Sequence, residues 1–387
     1  MTSKERVHAA LEGKPVDGMP VAALYCQLYH LDHFAELTGR PAWELHRWLC
    51  VSPEEHLALF RQMIDRAPFE ILQPQIAPSR EDREHTEFVL QGGQLIRCDK
   101  RRGTCEPVEV RPGHPIEYRA NETQHVFTKR DADVRLTLHT AREIIANGQN
   151  DYVEAAVRSL GRDHFILSGG VVGTIFSLGG HLGQTNSLRM LVEQPDLIEH
   201  LCKKIVEQNI ETIRALAAAG GDAIYVDDAT ATSDMISVAH FERFSLPYMK
   251  EMVREIHGLG LKAIIIYFGG VADRLDQLAG IGADGLLVEA SMKGYVNDID
   301  LIAERIGDRV SLFGSIDPIG VLQKASDEQL EAEIARQAAA GHKARGFILS
   351  PASPITPFTP LARVQRFIEL CKRHGSAGPP PRASRSV

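Results

Sequence analysis

A chain of 387 residues with 44% apolar side chains has ample material for a buried core and suits one large α/β barrel with insertions, or two domains. A formal net charge of −8, with no basic cluster longer than Lys100-Arg101-Arg102, argues against a nucleic-acid partner, and no apolar stretch approaches the roughly 20 residues that span a bilayer. Met1-Thr-Ser-Lys-Glu-Arg6 leads into no apolar segment, so no secretory signal is expected, and a soluble, cytoplasmic protein is.

In chain order, residues 3–13 read as a short amphipathic helix stopping at Gly13, and Lys14-Pro-Val-Asp-Gly18 as a turn. Pro20–Tyr25 reads as a first strand, its far end carrying Tyr25, Gln27, Tyr29 and His30. Phe69–Gln75 reads as a second strand ending in the amides Gln73 and Gln75. Residues 76–130 alternate polar and apolar, with Gly92-Gly93 as a hairpin turn, and predict an antiparallel β-hairpin insertion after the second strand. Asp163–Gly170 is the third strand, followed by two expected glycine loops, Gly169–Gly173 and Gly179–Gly183. A helix is expected over Glu193–Ala219, then apolar strands at 223–228, 263–270, 285–290, 310–317 and 346–351. Helices over 238–259, 271–279, 301–306, 327–340 and 360–373 fall between or after them. Strand–helix alternation of this kind predicts a single (β/α)8 TIM barrel over 1–375, with 376–387 as a disordered tail.

In such a barrel the strands end on one rim, where active sites lie. The rim then collects Asp227, Asp228, Tyr267, Glu289, Asp317 and Ser353. Adjacent strand residues face opposite sides, so one of Asp227 and Asp228 points to the axis and the other to the helices or a loop. A carboxylate so placed could bind a metal, take a proton or stabilise a cation; capping a loop is the plain alternative. Asp228, Glu289, Tyr267 and His181 are the catalytic candidates; Tyr25, Gln27, His30, Gln73, Gln75, Asp227, Asp317 and Ser353 are candidates for binding a small-molecule substrate. The glycine runs lack a Gly-Lys-Ser/Thr element, so they are not a phosphate loop. The six cysteines contain no C-x-x-C pair and are expected as reduced, mostly structural thiols, although Cys98 and Cys105 could face each other across a hairpin.

Arg6-x-x-Ala-Ala-Leu-Glu-Gly-Lys-Pro-Val-Asp-Gly-Met-Pro-Val21, Ala219-Gly-Gly-Asp-Ala-Ile-Tyr-Val-Asp-Asp228, Ile236–Tyr248, Gly314-Ser-Ile-Asp-Pro318 and Pro354-Ile-Thr-Pro-Phe-Thr-Pro360, in this order, resemble the uroporphyrinogen decarboxylase superfamily from about Arg6 to Arg373. The resemblance implies a (β/α)8 barrel and one of two chemistries. One branch decarboxylates a tetrapyrrole without cofactor and carries Arg-Gln-Ala-Gly-Arg after the first strand; here Tyr25–His33 has no arginine. The other moves methyl groups to or from a corrinoid carried by a partner protein. Its thiol-methylating members hold zinc with His-x-Cys and Cys, where this chain has Tyr267, Gly269 and Ser353. No bound cofactor or zinc at that triad is therefore expected, while a site for another metal on Asp228 and Glu289 stays open. The resemblance favours a methyltransferase or demethylase of a small methylated substrate, with a cofactor-independent decarboxylase and a non-catalytic binding barrel as alternatives. Whether the protein forms a homodimer is left open.

Overall fold

A computed structural model describes residues 1–108, 128–291 and 294–376. The strands in chain order are β1 (Ile71–Leu72), β2 (Thr86–Gln91), β3 (Gln94–Asp99), β4 (Thr104–Val108), β5 (Phe165–Val172), β6 (Ala223–Asp227), β7 (Lys262–Tyr267), β8 (Gly285–Val288), β9 (Ser311–Phe313) and β10 (Phe347–Ile348). Seven of them form one curled parallel sheet in the order β1-β5-β6-β7-β8-β9-β10. Residues 20–22 join its two edges. The Ala22 amide donates to Leu349, the Leu349 amide to Pro20 and the Glu70 amide to Val21, each at 2.8–2.9 Å. The expected first strand is thus a single bridge at Val21, because the chain turns at Tyr25 into the helix Cys26–Asp32.

Side-chain parity divides the sheet. Ala223 and Tyr225, Ile264, Ile266 and Phe268, and Leu287 pack together on the inner face with Val7 and Leu11 of the helix Ser3–Glu12. Their neighbours Ile224 and Val226, Ala263, Ile265 and Tyr267, and Leu286 and Val288 pack outward against the helices. Both faces are dry, which is why these strands read as unbroken apolar runs.

Helices flank the outer face. Pro195–Ala218 is the longest, and Val238–Phe244 and Leu246–Gly258 are two helices where one was expected. The break falls at Ser245, two residues before Pro247, which sits in the first turn of the second helix and has no amide to donate. Both expected glycine loops are regular structure. Gly169–Gly173 runs through the end of β5 to the residue capping the next helix, and Gly179–Gly183 forms the last turn and cap of that helix, Thr174–Leu182.

β2, β3 and β4 form a separate antiparallel sheet, with Gly92 and Gly93 at the turn between the first two. The β3–β4 register sets Cys98 opposite Cys105, with Cα atoms 4.1 Å apart, and the pair is a disulfide rather than two reduced thiols. Cys26, Cys50, Cys202 and Cys371 are free. The rest of the expected insertion, 109–127, and the tail from 377 lie outside the described residues. Among the described residues no helix is long and apolar enough to cross a membrane.

Candidate active site

The inner-face parity of β6, β7 and β8 carries through to their carboxyl ends, with Asp227 level with Ile266 and Leu287, and Phe268 and Glu289 one inward step further along their own strands. Tyr225 lies one layer below Asp227 on the same face. Its ring rests on Gly170 of β5, where any Cβ would fall inside it.

Tyr25 closes this cluster from the opposite edge. It has φ +59°, the only non-glycine residue with positive φ among those described, in a region that costs an L-residue about 1–2 kcal/mol. A hydrogen bond from its amide to Gln73 Oε1 (3.1 Å) holds that turn. Its ring meets Tyr225 edge-on at 5.2 Å and Phe268 at 6.4 Å, and its hydroxyl donates to Asp227 across 202 residues of sequence. Tyr25, Tyr225 and Phe268 are all half-buried, whereas Asp227 is 5% exposed.

Burial pushes the Asp227 carboxyl up to about 6, although the Tyr25 hydroxyl and the Ala229 amide pull it down. Burial, with Tyr225 and Asp227 adding to it, pushes the Tyr25 phenol far above its ordinary range, so it stays a donor. Glu289, also 5% exposed, accepts from the Gly269 amide at 2.7 Å and from the Tyr295 hydroxyl. Asn297 locks this end by donating to the carbonyls of Gly269 (2.9 Å) and Glu289 (2.8 Å).

The other expected site residues are placed elsewhere or do other work. Asp228 has outer parity and is 1% exposed. It accepts from the amides of Ile175 (3.2 Å) and Phe176 (2.8 Å) and from Ser245 Oγ (2.7 Å), capping the helix Thr174–Leu182 whose own cap, Gly173, has no side chain. Burial raises its carboxyl to about 6 against those hydrogen bonds. Tyr267 is fully buried on the outer face, donating to the Ala231 carbonyl at 3.2 Å and packed edge-on against Phe241. Asp317 caps the following helical turn through the amides of Ile319 (2.8 Å) and Gly320 (2.9 Å).

Ser353 donates to the Leu24 carbonyl at 2.9 Å, and Gln75 donates to that of Gln27 at 3.1 Å. The Gln27 side-chain oxygen is buried without a hydrogen-bond partner. His30 is 2% exposed and packed on Phe60, and burial pushes its imidazole down to about 4. His181 lines a separate cavity of about 470 Å³ with Ser177, Lys204 and Asn209, and no strand-end carboxylate borders it. A larger cleft of about 630 Å³, bounded by Arg6, Asp17, Glu70 and His164, opens at the amino ends of the strands, away from these carboxylates. Tyr225, Phe268 and Tyr295 were not among the residues singled out from sequence. A count by two from Asp227 would have found Tyr225, but nothing local gives the parity of Phe268.

A zinc ion has no donor set at Tyr267, Gly269 and Ser353: one side chain is a phenol spent on a carbonyl, one is absent and one is an alcohol. Among the described residues no three His, Cys, Asp or Glu side chains converge as a metal site would require.

The family model described as uroporphyrinogen decarboxylase (URO-D) matches residues 117–374. The methylcobamide:CoM methyltransferase MtbA of Methanosarcina acetivorans is 21% identical over 380 residues, 96% of this chain and 98% of that protein. A uroporphyrinogen decarboxylase of Pseudomonas paraeruginosa is 30% identical over 234 residues, 56% of this chain and 62% of its own length, so the chain spans less than two thirds of that relative. Among solved structures, a methyltransferase from Methanosarcina mazei matches with a TM-score of 0.65 at 19% identity, over 96% of this chain and 99% of that one, a likeness of fold.

Proposed function

Because the chain belongs to the uroporphyrinogen decarboxylase family, we propose that it is a cytoplasmic (β/α)8-barrel enzyme of the methyl-transferring kind. In this reading the sheet joined by residues 20–22 is the barrel, and its mouth takes a small methylated substrate. The methyl group passes to or from a corrinoid carried by a partner protein. When bound, that corrinoid supplies the methyl-carrying metal centre; this chain's own residues bind and orient the substrate. The near full-length likeness to a protein named as a methylcobamide:CoM methyltransferase supports the reading.

The observation that carries it is the charge of the described strand-end segments. The strand-end segments 24–30, 73–76, 172–181, 227–236, 268–272, 289–291, 314–320 and 349–360 contain no lysine or arginine. Arg274, which follows one of them, is fully buried, its guanidinium spent on the carbonyls of Ala231 and Ile236 and on Asp273. A substrate bearing several carboxylates needs cationic partners where it is desolvated, and these segments offer Asp227 and Glu289 instead. That speaks against the decarboxylase alternative in spite of the 30% identity to such an enzyme.

Asp227 holds one side of the substrate and Tyr25 fixes Asp227, its hydroxyl remaining protonated. Glu289, tied by Gly269 and Tyr295, holds the other side. Phe268 and Tyr225 provide the apolar wall that excludes water. The test is to incubate the protein with a free corrinoid and a panel of methylated compounds and to detect demethylated product by mass spectrometry. Asp227→Asn removes a charged contact to the substrate and should cut turnover by roughly 10–10². Cofactor-free decarboxylation of uroporphyrinogen, with no methyl transfer from any compound, would overturn the proposal.

A further inference from the structure

Exposed apolar side chains are unevenly shared between the two ends of the parallel sheet. At the carboxyl ends nearly every strand is followed by one. Leu28 follows the bridge at Val21, Ile76 follows β1, Phe176 follows β5 and Met235 follows β6. Past β8, β9 and β10 come Val296, Ile319 and Phe358, and only β7 lacks such a residue. Val296 is 75% exposed and Phe358 68%. The connections at the amino ends, 13–19, 67–70, 161–164, 219–222, 259–261, 280–284, 307–310 and 341–346, hold Leu259 alone among the exposed large apolar residues. Such a side chain gains nothing from the core, so its recurrence around one end marks a surface suited to burial by another body.

Charge separates the two ends as well. The amino-end connections mix five basic with six acidic residues, whereas the strand-end segments set out above hold five acidic residues and no lysine or arginine. Of those five, Asp234 is exposed and Asp317 half-buried. We infer that this apolar, acid-bearing rim is a docking surface for a partner protein whose own contact face is apolar and fringed with lysine and arginine. Apolar contact holds such a pair together, and the opposite charges steer and orient it. A second copy of this chain is a poor occupant, because rim against rim sets acids against acids with no basic side chain from these segments to offset them. An anionic membrane fits no better, since the segments offer no basic group to lipid phosphates. The surface goes beyond the methyl-transfer reading and does not depend on it. If both hold, the occupant is the corrinoid carrier, because a body seated here approaches the strand-end residues.

The test places a photoreactive benzoylphenylalanine in the full-length protein at Val296 or Phe358 on the rim, or at Leu259 at the opposite end. Irradiation is carried out in the cells that make the protein, and the cross-linked peptides are identified by mass spectrometry. The captured protein is then purified and titrated against this chain. Both rim positions should capture the same protein, distinct from this chain, and Leu259 should not. Phe358→Ser and Val296→Ser together should weaken the purified pair at least tenfold, and Leu259→Ser should leave it within twofold. Raising salt from about 50 to about 500 mM should also weaken it at least tenfold. Rim cross-links to a second copy of this chain, to different proteins from the two positions or to none would overturn the inference. So would equal capture from Leu259, sedimentation of the protein with phosphatidylglycerol vesicles, or an affinity indifferent to salt or to the rim substitutions. The two readings fail separately. A salt-sensitive rim partner that carries no corrinoid would leave the docking surface standing and count against the methyl-transfer reading. Methyl transfer to a free corrinoid, with no capture from the rim, would do the opposite.

Discussion

Replacing Asp227 by asparagine should make the protein more stable at neutral pH while disabling it. In an unfolded chain an aspartate carboxyl ionises near 3.8, whereas burial in the folded protein raises that of Asp227 to about 6. Between those two values the folded state holds a proton that the unfolded state has lost, so stability falls as pH rises through the window. The shift of about 2 units, at roughly 1.4 kcal/mol each, makes ionisation cost the folded state about 3 kcal/mol at pH 7.5. Below about pH 4 the cost vanishes, because the acid is then neutral in both states. An amide never ionises and can still accept from Tyr25 through its oxygen. Asp227→Asn should therefore exceed the wild type by about 3 kcal/mol at pH 7.5 and match it near pH 4. Urea unfolding of both proteins at the two pH values, compared at a common m-value, reads this difference. A gap of the same size and sign at both pH values, or a wild type that is the more stable at pH 7.5, would refute the reasoning. It would mean that Tyr25 and the Ala229 amide outweigh burial.

Buried histidines act with the opposite sign. The His30 imidazole titrates near 4 when folded against 6.5 ordinarily, so the unfolded chain takes up its proton first and stability is lost as pH falls from 6.5 towards 4. His30→Leu should flatten the stability–pH curve in that window by roughly 1.4 kcal/mol per unit, measured by denaturation midpoints at pH 6.5 and 4.5. At the amino ends of the strands, Arg6 pairs with Glu70, which is 6% exposed and accepts from the Val21 amide at 3.1 Å where the sheet edges join. Arg6→Ala leaves that carboxylate buried without its counter-ion and should cost about 3–5 kcal/mol in urea unfolding. Gly170→Ala puts a methyl where the Tyr225 ring lies. It should lower stability by about 1–3 kcal/mol in the same assay.

Much of the scaffold was legible because the signals are local. The helices expected over 3–13 and 327–340 and the apolar runs at 223, 263 and 285 are elements bounded within a few residues of their sequence limits. That the strands end in polar residues sharing one rim follows from parallel topology alone, which is how Asp227 and Glu289 came to be chosen. Tertiary structure decided which face each residue takes. A strand dry on both sides carries no polar–apolar alternation, so its run of valines and isoleucines cannot say whether Asp227 or Asp228, Tyr267 or Phe268, looks inward. The inner face of the curled sheet admits one parity, set by the packing of Ala223, Ile264, Ile266 and Leu287, and it sends Asp228 and Tyr267 to the helices. The hydrogen bond from Tyr25 to Asp227 was beyond local reading for the same reason: nothing near either residue encodes a partner 202 positions away until the curled sheet brings them together.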